Sequence, residues 1–298
     1  MSTISLRMLA VATCVIFAAC RPAKPPAESA PPGLWAEHTP FDWPHDGQTL
    51  KTPHFIIYSD AASAVEREKL SRGLEILFHQ LTGLLKIDPA SVDWYPDSTQ
   101  PFVVYMNRTH PEVPGGHVFQ GGMIVVSPDA AFFANPYPGH YGQLVMHELT
   151  HVIDLAATLG AFDQPPHWFR EGFAMICSGP RPGDIRSIKA LDSTLAALDL
   201  DRETWSPLSI RQYTDFPEKI RQQKLDGWYY PLFELAVRYL TDERGAGRTP
   251  ADVLHMLDGL TLTLPFDAAF HQSFGLSLET YAQEFYQRIS PWLEQPDT

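Results

Sequence analysis

The stretch "QLVMHELTHVID", Gln143 to Asp154, sets two imidazoles and a carboxylate where metal chemistry could use them. His147 and His151 are four residues apart. In a helix, residues so spaced share one face about 5.4 Å apart along the axis, so both rings can reach one ion. Zinc accepts imidazole nitrogens at about 2.0–2.1 Å in tetrahedral geometry and keeps a position for water when three protein ligands bind. Glu148 is turned about 100° round the helix from His147, close to that water but off the ligand axis, where a general base belongs. The plain alternative is a pair of histidines satisfied by neighbouring carbonyls. A third ligand would weigh against it, and "PPHWFREGFAMI" offers Glu171, twenty residues beyond His151. Pro165 and Pro166 end a loop and open a second helix, from which Glu171 would project toward the first. The expectation is one zinc per chain, held by His147, His151 and Glu171. Asp154 could orient a ligand imidazole by accepting its second N–H; an exposed helix acid is the other reading.

Such a site needs a frame of strands and helices. "HFIIYSD" (His54 to Asp60) is rich in β-formers and is followed by a helical pattern through Val65, Leu70, Leu74, Leu77, Leu81 and Leu85. Two further strands are expected at "PFVVYM" (Pro101 to Met106) and "GGMIVVSP" (Gly121 to Pro128), with Gly115, Gly116, Gly121 and Gly122 as punctuation. Beyond Glu171 the pattern is helical. Helix starts are marked by Thr249-Pro250-Ala251-Asp252 and by Ser277 before "LETYAQEFYQRI", while "GWYYPLFELAVRYL" carries Pro231 in its first turn. The expected class is α+β: a small mixed β-sheet with helices in the N-terminal half, packed on an all-helical C-terminal half, with the site helix between them. The domain spans 48–298, divided into an α+β part at 48–160 and a helical part at 161–298.

With 298 residues and 44% hydrophobic content the chain can bury one large core. Its formal charge of −13, from 22 Lys and Arg against 35 Asp and Glu, excludes phosphate-backbone binding and hence nucleic acid as a partner. Residues 1–19 read as an export signal: one cation, Arg7, then an apolar run from Met8 to Ala19 broken only by Thr13, too short to span a bilayer. The exit "FAAC" resembles a bacterial lipobox, which implies cleavage before Cys20 and lipid on that cysteine. Residues 20–47, with seven prolines between Arg21 and Gly47, form an extended tether whose Trp35, Phe41 and Trp43 could pack against the domain. The expected location is the bacterial cell envelope, lipid-anchored and facing the periplasm or exterior. Arg21 after the lipidated cysteine favours the outer membrane. Cys177, left without a disulfide partner, reads as a small buried hydrophobe.

His147-Glu148-Leu149-Thr150-His151 followed by Trp168-Phe169-Arg170-Glu171-Gly172-Phe173-Ala174 resembles the gluzincin signature, and most closely that of bacterial peptidase MA-like proteins. "HFIIYSDAASAVEREKL", "YYPLFELAVRYL" and "FGLSLETYAQEF" extend the likeness over about Lys51 to Leu293. The resemblance implies a zincin-like fold and zinc-dependent hydrolysis of peptide bonds in a peptide or protein substrate, with Glu148 as the base that activates water. It also implies an oxyanion donor from the helical half. Tyr230 matches the family's tyrosine best, and Tyr229, His167 and His117 are further candidates; a buried core tyrosine is the plain alternative. Aminopeptidases of this kind carry a glutamate in a G-x-M-E-N motif. Gly121-Gly122-Met123-Ile124-Val125 has none, which points to an endopeptidase with Gly122, Met123, Ile124 and Val125 as an edge strand for an extended substrate. The other zincin branch would need glycine at Asp154 and histidine at Ala157. Two further readings stay open: a zincin-shaped binding or scaffold lipoprotein without turnover, and a hydrolase of a non-peptide amide.

Overall fold

The computed structural model describes residues 48–59, 64–92, 102–106, 116–119, 123–126, 140–158, 165–179, 195–196, 199–201, 205–222, 229–260 and 264–293. The export signal, the tether, Cys20 and Gly122 lie outside them. Among the described residues, no helix is long and apolar enough to cross a membrane.

Among the described residues five strands form one mixed sheet: β1 (Gln48–Lys51), β2 (Phe55–Ser59), β3 (Phe102–Met106), β4 (Gly116–Phe119) and β5 (Met123–Val126), in the order β1-β2-β3-β5-β4. β2, β3 and β5 run parallel, with Ile57 opposite Val104 and Val104 opposite Ile124, while β1 and β4 close the two edges antiparallel. Helix α1 (Ala64–Leu85) makes the crossover from β2 to β3. Its Leu74, Phe78, Leu81 and Leu85, spaced at three or four residues, lie buried in one core with Phe55, Ile57 and Val104.

The strand order corrects one expectation. Met123 to Val125 belong to β5, which lies inside the sheet between β3 and β4 and is not an edge strand. The preceding segment folds back on it, pairing Val118 with Ile124 and Phe119 with Met123, so the outer ladder position of β5 is already taken. The edge on that side is β4, a strand that the glycines at 115 and 116 concealed in the sequence.

The remaining helices are α2 (His140–Ala157), α3 (His167–Ser178), α4 (Glu218–Gln222), α5 (Tyr230–Thr241), α6 (Pro250–Asp258), α7 (Phe266–Phe274), α8 (Leu278–Gln283) and α9 (Phe285–Leu293). The class is α+β, as expected, with the described strands confined to the first half of the chain, together with α1 and the start of α2, and helices alone beyond Glu171. Pro231 sits in the first turn of α5, and Thr249 and Asp252 form a reciprocal capping box on α6. Ser277 caps α8 by accepting from the Thr280 N–H, but the helix expected to run on from there breaks at Glu284 into α8 and α9. The Tyr281 hydroxyl donates to the Ala236 carbonyl at 2.5 Å, tying α8 to α5.

α2 packs on α1, α3, α6 and the β4–β5 end of the sheet. It is enclosed nearly all round: Val145, Leu149, Val152 and Ile153 are buried, and so are His147, Glu148, Thr150 and Asp154. A helix buried on its polar face must find partners there for every charge it carries.

Candidate metal centre

The partners come from α3. This helix starts at Pro166, which offers no side-chain cap. Instead the His167 and Trp168 N–H groups donate to the carbonyls of Arg211 (2.7 Å) and Ile210 (3.2 Å), which fixes where α3 begins. Its lateral position is set by Gly172. A Cβ there would lie 2.2 Å from the Phe233 carbonyl oxygen and 2.7 Å from Val237 Cγ2, so only glycine lets α3 lie this close to α5. Glu171, next to that contact, is thereby held toward α2.

The three expected ligands do come together. His147 Nε2 and His151 Nε2 are 3.1 Å apart, and Glu171 Oε2 is 3.2 Å from the first and 3.4 Å from the second. A tetrahedral ion with bonds of about 2.0–2.2 Å holds its donors about 3.3–3.5 Å apart, so this triangle fits zinc with adjustments of a few tenths of an ångström. All three side chains are largely buried, at 7%, 14% and 14% exposure.

The electrostatics favour a cation at this position. Burial alone would lower the His151 imidazole, but the carboxylates of Glu171, Glu148 and Asp154 overrule it and lift it to about 9. Burial would raise Glu171, yet His151, His147 and His167 pull its carboxyl well below the ordinary range. The pocket is therefore short of positive charge, and without a cation it fills that need with a proton on imidazole.

Other expected residues fall around this triangle. Glu148 is buried, at 6% exposure, and acts electrostatically on His151. The Tyr230 ring lies 6.4 Å from that of His147, which places α5's first residue beside the centre. Tyr229 is instead a core residue, fully buried against Trp205, Phe216 and Phe233, and burial pushes its hydroxyl up to about 12. His167 Nδ1 is 3.9 Å from the second Glu171 oxygen, with its ring edge-on to Tyr213, Phe216 and Phe233. Its effect on Glu171 is electrostatic, adding to the pull that keeps the carboxyl low. His117 falls in β4, and its side chain lies outside the described residues. Cys177 is buried in α3, as expected, and burial pushes its thiol up.

Asp154 is not an exposed helix acid. It is 1% exposed and accepts a 2.6 Å bond from Arg170, whose other nitrogen donates to Thr158 at 3.1 Å. The pair locks α2 to α3 one residue before Glu171. The role of Arg170 is silent in the sequence, because an arginine beside a helical glutamate has the same local pattern whether it faces solvent or a buried acid. The only available signal was the lone Asp154 on an otherwise apolar stretch of α2.

No protein-family model matches the chain, and no curated protein matches it.

Proposed function

We propose that the chain is a zinc-dependent peptidase with a zincin-like arrangement of sheet and site helix. The observation that carries this reading is the Nε2, Nε2, Oε2 triangle of His147, His151 and Glu171, with edges of 3.1, 3.2 and 3.4 Å, beside a buried Glu148. When bound there, zinc would polarise a substrate carbonyl and make water acidic. Glu148 takes the proton of the attacking water and passes it to the leaving nitrogen. The Tyr230 hydroxyl donates to the developing oxyanion. An extended substrate pairs with β4, a terminal strand of the sheet, which packs on α2. β5 brings no glutamate to hold a substrate's amino terminus, which favours endopeptidase action.

Metal analysis and peptide-library hydrolysis test this reading. The purified chain should hold zinc that Glu171→Ala loses from this centre, and cleavage should stop with chelator and in that variant. A zinc-loaded wild type that cleaves no peptide would leave the scaffold reading standing, and a chain that binds no zinc would refute the centre. The proton on His151 gives the test a pH arm. Its raised value stabilises the metal-free fold fully below about 6.5, a contribution lost as pH rises to about 9. Zinc must displace that proton, so the rise in Tm on adding zinc should grow across the same interval. A zinc-induced shift independent of pH would argue against His151 as a ligand.

Tyr230→Phe should lower kcat by about 10²–10³-fold with little change in KM or zinc content, the loss typical of one oxyanion donor. An unchanged kcat would assign that donor elsewhere.

The anchor is proposed on the "FAAC" exit and the proline-rich segment after it: lipid on Cys20 holds the domain at the bacterial envelope, facing the periplasm or exterior. Membrane fractionation of Cys20→Ser should move the protein to the soluble fraction, and retention would refute the lipid.

A further inference from the structure

A second group of metal-ligating side chains stands apart from the first and shares no residue with it. His54 immediately precedes β2, and Glu75 and His79 are one turn apart on α1, on one face of the helix. Each offers one donor atom, and the three atoms lie within 4.8 Å of one another. We propose that His54, Glu75 and His79 form a second site for a divalent transition-metal ion, open to solvent, that ties the start of β2 to α1.

The site is built on fixed elements. The His54 ring packs 4.7 Å from that of Phe78, which is fully buried and in edge-on contact with Phe55 of β2. Glu75 is gripped by both oxygens: the His54 backbone N–H donates to Oε1 at 3.0 Å, and His54 Nδ1 lies 2.7 Å from Oε2. These two contacts hold the carboxylate beside the His54 ring, with its donor atom within reach of those of both histidines. His79 is exposed, and its ring lies 5.5 Å from that of His54, nearly perpendicular to it. An ion can reach the group from solvent without opening the core.

The donor set selects the ion. Two imidazole nitrogens with one carboxylate oxygen favour zinc, copper or nickel over magnesium or calcium, which prefer all-oxygen cages. The contact between His54 Nδ1 and Glu75 Oε2, at 2.7 Å, is shorter than the donor spacing of a tetrahedral ion, so loading would break that hydrogen bond and widen the contact. Binding is consequently expected to be weaker than at the His147, His151 and Glu171 centre. Its effect is a cross-link between sheet and helix, which favours the folded chain by mass action.

Equilibrium dialysis of the full chain against Zn²⁺ tests the proposal, with circular dichroism as a check on folding. Wild type should bind about one Zn²⁺ more than His79→Ala, an exposed substitution that spares the core. A His147→Ala/His151→Ala chain should keep one Zn²⁺ and lose it when His79→Ala is added. Equal Zn²⁺ in wild type and His79→Ala would overturn the second site and leave Glu75 as a structural clasp for His54. Wild type binding one Zn²⁺ and His79→Ala none would support this site and tell against the first, so the two readings fail separately.

Discussion

Glu148→Gln should leave zinc bound and reduce peptide hydrolysis by about 10²–10⁴-fold, the contribution of a positioned general base. The substitution is close to isosteric, so the buried position, at 6% exposure, keeps its packing. The three atoms proposed to hold the metal belong to His147, His151 and Glu171 and are untouched. What changes is proton chemistry, because an amide cannot take a proton from water and return it to the leaving nitrogen. A second consequence follows from the charge. Glu148 is one of the carboxylates that lift His151, so removing it lowers the proton's hold on that imidazole in the metal-free chain. Acidification should therefore compete less strongly with zinc in the variant. Metal content and steady-state hydrolysis, measured together, separate this outcome from a ligand loss, in which both would fall. Retained turnover would remove Glu148 from the mechanism.

The parts of this centre that were legible in the sequence are those encoded by one period. His147, Glu148 and His151 lie on a single helix, so a spacing of four fixes their relation before any tertiary contact is known. Glu171 was reachable for a similar reason: a short loop ending in two prolines restricts where the next helix can begin. Strand order has no such local record. "MIVV" reads as a strand and "GHVF" does not, and which one takes the sheet edge depends on the antiparallel pairing that places Val118 opposite Ile124. Gly172 was visible only as part of a motif, and its close approach to the Phe233 carbonyl emerges when α5 is laid across α3. The His54, Glu75 and His79 group joins residues 21 positions apart through the packing of a strand on a helix, a contact no periodicity announces.

Arg170→Met should destabilise the fold by about 3–5 kcal/mol near neutral pH, because it leaves the Asp154 carboxylate in the interior without its counter-charge. Burial already holds Asp154 above the ordinary carboxylate range, and Arg170 pulls it partly back. Without the guanidinium it rises further, so the folded chain takes up a proton more readily than the unfolded one as pH falls. The deficit should accordingly be largest at about pH 8 and shrink toward about pH 5 in urea melts. Adding Asp154→Leu removes the charge that has to be neutralised, and the double variant should recover most of the loss. Zinc supplies a readout that stability alone would not move. The bonds from Arg170 to Asp154 and Thr158 fix α3 against α2 one residue before Glu171, so loosening them should weaken zinc binding by about 10–100-fold in both variants, even where the double variant is again stable. If the double variant regains full zinc affinity together with its stability, the ion pair serves the core alone, and the alignment of Glu171 with His147 and His151 rests on Gly172 and the carbonyls that start α3.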